Sequence, residues 1–178
     1  ATMNPRAEAL AYQEHTLTYS ALSERVSLAA AAYVGLGLKR GERVAVYLEK
    51  RLETVIALFA GAAAGGVFVP VNPLLKPGQV GYILKDCNVR LLVTSSERLE
   101  LLAPELAQCH DLHAVIVVGA SGGPTAVDGL RTIGWDDVLG IGAGLVLGTL
   151  LTFATYWLGV RWSNLFRGRA VARRESDV

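Results

Sequence analysis

Short runs of β-branched and aliphatic residues recur along the chain, and a stretch of helical character separates each run from the next. The runs are VAVYL at 44–48, VFVPV at 67–71, RLLVT at 90–94 and AVIVV at 114–118. Runs this short and this apolar are typical of strands that are buried on both faces, as in parallel sheets. Their alternation with helices predicts right-handed βαβ crossovers. We therefore predict an α/β fold with a mainly parallel sheet, in which all four runs are buried.

The remaining segments complete this pattern. LAYQEHTLTY at 10–19 alternates apolar and polar residues and predicts a short hairpin. Ser20 is the expected cap of the helix that follows, whose inner face carries Leu22, Val26, Ala29 and Tyr33. Three further helices are predicted at 51–64, at 76–87 with Pro77 in the first turn, and from Ser95 or Ser96 to 108. GASGGPTAVDG at 119–129 has the composition of a surface loop.

Three stretches of this pattern carry a family resemblance. They are LTYSALSERV at 17–26, the continuous segment from GLKRGERVAVYLEKR to NVRLLVTS at 37–95, and AVIVVG at 114–119. Together they resemble the N-terminal part of the adenylate-forming superfamily, the acyl-CoA synthetases and their relatives, over roughly residues 5–137. The segments YLEKR, ETVIALFA and PVNPLLKP are most similar to those of acyl-CoA ligases associated with bacterial exosortase systems.

What the resemblance implies for catalysis is mainly negative. The family holds the ATP phosphates with a Ser/Thr- and Gly-rich loop ending in Pro-Lys, the ribose with a later aspartate, and the acyl carboxylate with a lysine near the C-terminus. All three lie downstream of the matched part, so no catalytic or cofactor-binding residue transfers to this sequence. GASGGPT at 119–125 lacks the phosphate-binding lysine and predicts an ordinary loop. We expect no adenylation by this chain alone and no bound cofactor.

A charge-free segment from Val138 to Val160 follows the resemblance. As a helix it would span about 34 Å, enough for a hydrocarbon core of about 30 Å. Its glycines do not have the spacing G-x-G-x-x-G. They do not fit the P-loop pattern either, because that pattern needs a lysine and none follows Lys85. They instead form a small-residue stripe of Gly140, Gly144, Gly148 and Thr152, which predicts packing on another transmembrane helix. The expected interfacial aromatic residues are Tyr156, Trp157 and Trp162.

Charge and cysteine content bear on partners and compartment. A formal net charge of +1 gives no reason to expect nucleic-acid binding. Anionic lipid headgroups are the expected contacts of the basic tail, which contains Arg161, Arg167, Arg169, Arg173 and Arg174. Cys109, His110 and His113 lie close in sequence, but a structural zinc site needs four ligands, so we predict no metal. Asp136 and Asp137 predict a solvated flank of the membrane segment rather than catalytic acids.

The sequence thus predicts four regions: an acyl-CoA-ligase-like domain at 1–118, a linker at 119–137, a transmembrane helix at 138–160 and an Arg-rich tail at 161–178. We expect a single-pass protein of a bacterial inner membrane. Free thiols and the absence of an N-terminal apolar segment favour a cytosolic domain, whereas the positive-inside rule favours a cytosolic tail. The first functional hypothesis is a non-catalytic accessory or assembly subunit of a larger bioenergetic or export complex. The alternative is one part of a split or remnant membrane-anchored acyl-CoA ligase that needs a separate ATP-binding part.

Overall fold

The structure, a computed structural model, describes residues 4–119, 127, 129–152 and 154, and it has the predicted α/β class. Its elements in chain order are β1 (Glu8–Tyr12), β2 (His15–Thr18), α1 (Tyr19–Gly35), β3 (Arg43–Tyr47), α2 (Leu52–Ala63), β4 (Val67–Pro70), α3 (Pro77–Asp86), β5 (Val89–Ser95), α4 (Ser96–Leu106), β6 (Ala114–Val118) and β7 (Arg131–Gly134). A last helix, called here the C-terminal helix, runs over Trp135–Thr152. The chain divides into two compact units, Ala1–Ala143 and Gly144–Val178.

The main sheet has five strands in the order β4-β3-β5-β6-β7, and every neighbouring pair is parallel. β1 and β2 form a separate antiparallel hairpin, as the sequence predicts. Two details differ from the prediction. β7 lies within the segment interpreted above as a linker, and β4 is an edge strand with exposed side chains rather than a buried one. The exposure of β4 follows from its place in the strand order, because β3 is its one partner among the strands that the structure describes.

Helices cover both faces of this sheet, because successive strand residues point to opposite sides. On one face, Val44 and Val46 of β3 join a buried cluster with α1 and α2. On the other face, Ala45 and Tyr47 join a second cluster with α3 and α4. The near-continuous apolar runs of β3, β5 and β6 are therefore explained by burial on both sides.

The starts of the helices follow local capping chemistry. Thr18, and not Ser20 as predicted, caps α1, since its hydroxyl oxygen accepts a hydrogen bond from the Ala21 backbone N–H at 3.3 Å. Pro77 occupies the first turn of α3, as expected, and Gln79 Oε1 accepts from the Lys76 backbone N–H at 3.0 Å. Both arrangements satisfy backbone donors that lack a partner inside the helix.

The beginning of the C-terminal helix is part of the domain core. Trp135 and Val138 are buried in the same cluster as α1 and α2, and Ile141 packs against that cluster. Gly142 lies on the backbone of α1, because a Cβ atom built on it would be 2.7 Å from the carbonyl carbon of Leu28. The segment predicted to cross a membrane at 138–160 thus starts inside the folded domain. Val138, Ile141 and Gly142 are therefore packed on protein rather than free to contact lipid.

The second unit is described from Gly144 to Thr152, together with residue 154. Its large apolar side chains are exposed: Leu145, Val146, Leu147, Leu150 and Leu151. By length and by a mean hydropathy of 1.3, the C-terminal helix is the one candidate membrane span among the described residues. Core helices of soluble proteins also meet that criterion, so the helix is weak evidence for a membrane protein.

The residues proposed for helix packing have mixed surroundings. Cβ atoms built on Gly140, Gly144 and Gly148 would meet nothing within 4 Å, so these three glycines leave an open strip on the helix. Thr152 turns its hydroxyl back to the Gly148 carbonyl oxygen at 3.1 Å. Packing of this stripe on another helix therefore stays a prediction. The proposed interfacial and lipid-binding residues, Tyr156, Trp157, Arg161, Trp162, Arg167, Arg169, Arg173 and Arg174, lie outside the described residues.

Candidate functional site at the carboxyl edge of the sheet

The strand order reverses direction at β3. The chain passes from β3 through α2 to β4 on one side, and then through α3 to β5 on the other side of β3. In open α/β sheets, ligands bind outside the carboxyl ends of the strands at such a reversal. The carboxyl ends of β3 and β5, at Tyr47 and Ser95, therefore mark the candidate site.

An arginine lies at this carboxyl end of the sheet. Arg98, in the first turn of α4, donates from Nε to Glu49 Oε1 at 2.9 Å, and its Nη2 also contacts that oxygen. Its Nη1 donates to the Pro73 carbonyl oxygen at 2.8 Å. The guanidinium carbon lies 4.5 Å from the centre of the Tyr47 ring, within the range of a cation–π contact. We call Tyr47, Glu49 and Arg98 the switch-point cluster, because they lie at the switch point where the strand order reverses.

Two more hydrogen bonds connect Tyr47 to its neighbours, one to the β4–α3 loop and one to β5. Tyr47 Oη donates to the Leu75 carbonyl oxygen at 2.8 Å, and buried Thr94 donates from Oγ1 to the Tyr47 carbonyl oxygen at 3.1 Å. The loop between β4 and α3 is thus held on the end of β3 at two carbonyl groups, Pro73 and Leu75. The cluster thus fixes the position of this loop at the edge of the sheet.

The charges of the cluster are balanced within it. The hydrogen bond from Arg98 is the main cause that lowers the pKa of the Glu49 carboxyl below its usual 4.5, followed by a bond to its own backbone N–H. Glu49 is therefore ionised at neutral pH and already paired. Arg98 has its donors directed at a carboxylate and a carbonyl, so neither side chain is a general base or an unpaired phosphate ligand in this arrangement.

The pH dependence of stability tests this pairing. Because the folded state lowers the pKa of Glu49, its contribution is complete above the unfolded pKa and is lost as pH falls through the folded pKa. Glu49→Gln should lower the free energy of unfolding at pH 7 by less than ~1 kcal/mol, since the pair is partly exposed. The difference between parent and variant should shrink as the pH is lowered to about 3. Urea unfolding at several pH values measures it, and a pH-independent difference would contradict the ion pair.

Other polar groups lie at the opposite, amino edge of the sheet. Arg90 Nη1 contacts Asp111 Oδ1 at 2.6 Å, and Arg90 Nε lies 3.2 Å from Glu42 Oε1. His113 approaches the same guanidinium at 3.5 Å. These charged contacts link the starts of β3, β5 and β6, although the buried Arg90 Nε has no hydrogen-bond partner among the described residues. The amino edge is therefore a structural network.

The sequence-predicted candidates are not brought together. Cys109 is buried with Sγ 3.5 Å from the Glu105 carbonyl oxygen, and burial is the main cause that raises the pKa of its thiol. His113 belongs instead to the amino-edge network. In the part of the chain that the structure describes, no three His, Cys, Asp or Glu residues lie close enough to hold a metal ion. Asp136 and Asp137 are exposed at the start of the C-terminal helix, as a solvated flank would be. Residues 120–125 of the GASGGPT segment lie outside the described residues.

Comparison with known proteins gives a family. A match to the family described as AMP-binding enzyme covers residues 1–133, which is most of the chain. The chain belongs to the AMP-binding enzyme family. Tyrocidine synthase 3 of Brevibacillus parabrevis is 37% identical over 121 residues, or 66% of this chain and 2% of that protein. Surfactin synthase subunit 3 of Bacillus subtilis (strain 168) is 35% identical over 100 residues, or 56% of this chain and 8% of that protein.

Solved structures of the family share the fold. The crystal structure of an anthranilate CoA ligase in complex with anthranoyl-AMP matches with a TM-score of 0.69 and 28% identity, over 76% of this chain and 25% of that chain. Coronafacic acid ligase from Pectobacterium brasiliense matches with a TM-score of 0.71 at 16% identity, which supports the fold alone. The chain therefore corresponds to the N-terminal part of an adenylate-forming enzyme and spans about a quarter of the ligases it matches. The comparisons favour the enzyme-part hypothesis over the accessory subunit, and no exosortase-associated ligase is among the relatives described above.

The switch-point cluster was not predicted from the sequence. Glu49 and Arg98 are separated in the sequence by four complete elements, α2, β4, α3 and β5, and no local pattern pairs them. The order of the strands could have indicated the place, because residues after the first and third predicted strands meet at a reversal of direction. The identity of the paired side chains required the tertiary structure.

Proposed function

We propose that this chain is the first part of an adenylate-forming enzyme that activates a carboxylic acid, and that the ATP-binding residues lie in polypeptide outside residues 1–133. The supporting observation is the family match over residues 1–133, together with the fold shared with a ligase whose structure contains anthranoyl-AMP. In such a reaction the acid carboxylate attacks the α-phosphate of ATP, which forms an acyl-adenylate and releases pyrophosphate.

The contribution of this domain would be to shape the site. The switch-point cluster holds the β4–α3 loop in place at the edge of the sheet where ligands bind in α/β proteins. Its charges are neutralised internally, so phosphate binding and carboxylate polarisation would have to come from the other part. Anthranilate, named in the matched ligase of 28% identity, is a carboxylic acid, which supports this class of substrate.

Acid-dependent exchange of pyrophosphate into ATP tests the proposal. The recombinant chain alone should show no exchange with fatty, aromatic or amino acids, whereas material isolated from native cells through a tag on this chain should show exchange with at least one of them. Removal of the tagged chain from that material should remove the exchange. Native material without exchange for any acid, and without an ATP-binding polypeptide, would refute the proposal.

Membrane attachment is a separate proposal about the C-terminal helix, supported by its exposed leucines at 145, 147, 150 and 151. Resistance to extraction by alkaline carbonate tests it, and labelling of Cys87 in intact and lysed cells tests the orientation. Release of the chain by carbonate would leave the domain as the functional part. The accessory-subunit hypothesis would then lose its basis.

A further inference from the structure

The amino edge of the main sheet carries an excess of cationic side chains. All five strands are parallel, so their amino ends meet at one edge, where the crossover helices also end. Six lysine and arginine residues of the described ranges lie at this edge: Lys39, Arg40, Arg43, Lys85, Arg90 and Arg131. They share it with four carboxylates, those of Glu42, Asp86, Glu105 and Asp111. The edge is therefore net positive.

The strand order arranges three of these arginines in a row. Arg43 and Arg131 are the first residues of β3 and β7, and Arg90 is the second residue of β5. Since neighbouring strands lie about 4.8 Å apart, the row from β3 to β7 is roughly 14 Å long. Arg40 extends it toward the start of β4, because its Cγ lies 3.9 Å from a Cβ built on Gly65. The cations thus follow the whole sheet edge.

The carboxylates neutralise only part of this charge. Glu42 and Asp111 both contact Arg90, which belongs to the amino-edge network described above. Arg40 and Arg131 are exposed, and no carboxylate of the described residues lies within ion-pair distance of either. The charges of these two arginines are therefore available to a partner.

Two further cations are bonded to neutral groups. The Arg43 guanidinium donates to the backbone carbonyl oxygens of Cys87 and Asn88, the latter at 3.0 Å. Lys85 donates from Nζ to the side-chain carbonyl oxygen of Gln108 at 3.1 Å. These oxygens satisfy hydrogen-bond donors and do not cancel the positive charge. We call Arg40, Arg43, Lys85 and Arg131 the basic band.

The opposite, carboxyl edge of the sheet has acidic side chains at the starts of its helices. Glu53 and Glu97 lie in the first turns of α2 and α4, and Asp136 and Asp137 lie at the start of the C-terminal helix. Acidic residues are favoured at helix N-termini, and the helices begin at this edge. A negatively charged surface would therefore attract the amino edge and repel these acidic side chains.

We propose that the basic band docks on the phosphate groups of an anionic bilayer surface. Clusters of basic residues are attracted to anionic headgroups when they lie close to the membrane. The second unit independently supports lipid as the partner, because Leu147, Leu150 and Leu151 are 60%, 61% and 66% exposed. The sequence beyond them has no charged residue up to Val160 and has five arginines in 161–178.

The inference goes beyond the proposed function, because it requires no step of the adenylation reaction. A net charge of only +1 favours a small anionic contact surface over a long nucleic acid. Docking through the amino edge would leave the switch-point cluster, at the carboxyl edge, open to soluble ligands.

Spin-label relaxation by a nickel-chelating lipid tests which edge faces the bilayer. The full chain carrying Cys87→Ser takes a single label, at His110→Cys on the amino edge or at Leu74→Cys in the β4–α3 loop, since Cys109 is buried. Both chosen positions are exposed. On vesicles that contain phosphatidylglycerol, the label at 110 should relax several-fold faster than the label at 74. On phosphatidylcholine vesicles this difference should disappear.

Paired charge variants of the full chain measure the contribution of the basic band. Arg40→Gln with Arg131→Gln should weaken binding to phosphatidylglycerol vesicles by roughly 25-fold, since each basic residue near an anionic surface contributes roughly fivefold. The control, Arg25→Gln with Lys50→Gln, removes two exposed cations away from this edge and should weaken binding by no more than about twofold. All four positions are exposed, so both variants should keep the urea midpoint of the parent.

Several results would overturn docking through the basic band. Equal relaxation at 110 and 74, or equal loss of vesicle binding by the two double variants, would show that net charge or the leucines alone hold the chain on lipid. Binding of an oligonucleotide or of polyglutamate through the band, without proximity of position 110 to phosphatidylglycerol, would assign the band to another anion. Pyrophosphate exchange by native material is measured separately, so a failure of the proposed function is distinguishable from a failure of the membrane surface.

Discussion

Replacement of Gly142 by alanine should destabilise the folded chain by about 2 kcal/mol, although alanine is the better helix former. The added Cβ would lie 2.7 Å from the Leu28 carbonyl carbon and 3.0 Å from its Cα, and backbone atoms of α1 cannot rotate away as a side chain can. The C-terminal helix or α1 must shift, and overpacking of this kind typically costs about 1–3 kcal/mol. Gly142→Leu should cost more.

Gly140→Ala is the matched control, on the same helix and two residues away. Its Cβ would meet nothing within 4 Å, so the variant should gain up to ~1 kcal/mol from helix propensity. Urea unfolding of the full chain measures both changes. A Gly142→Ala variant as stable as Gly140→Ala would show that the first turns of the C-terminal helix do not pack on α1. The case for a membrane segment beginning at Val138 would then be restored.

Leu102→Ala should lower the free energy of unfolding by about 2–5 kcal/mol, the usual range for truncation of a buried leucine. Leu102 is fully buried where α4 packs on the sheet, in the cluster that also contains Tyr47. The cavity would lie beneath the helix that carries Arg98, so the switch-point cluster should also loosen. Protection of the β4–α3 loop from hydrogen exchange should fall in this variant.

Leu101, the preceding residue, provides the control. It lies on the solvent side of α4, and Leu101→Ala should change stability by less than ~0.5 kcal/mol. Urea midpoints of the two variants, measured side by side, test the assignment of the two faces of α4. Similar losses in both would mean that α4 packs in a different rotation, and the contacts of Arg98 would have to be reassigned.

The prediction of the fold succeeded where local pattern and burial agree. The runs that became β3, β5 and β6 are mostly apolar because helices cover both of their faces, and the sequence records that burial directly. VFVPV resembles those runs in composition but became an exposed edge strand. Composition reports that a residue is apolar, and it does not report whether the tertiary structure covers it.

β7 and the start of the C-terminal helix show a different limit. RTIG is short and polar at its first two positions, so no periodicity marks it as a strand until β6 is beside it. Val138 to Ala143 has the composition of a membrane segment, yet Val138 is fully buried in the domain core. A uniformly apolar helix is equally compatible with lipid and with a protein interior. Only the packing of Trp135 and Gly142 shows that this helix begins in the protein interior.

By itself, the sequence determined the α/β class, the order of helices and strands through β6 and the resemblance to adenylate-forming enzymes, because these depend on periodicity and residue type along the chain. Only the tertiary structure decided the strand order, and with it the exposed β4 edge and the meeting of Glu49 with Arg98. Both depend on which distant segments become neighbours. Which segments become neighbours depends on the burial of whole helix and sheet faces, and no short stretch of sequence specifies it.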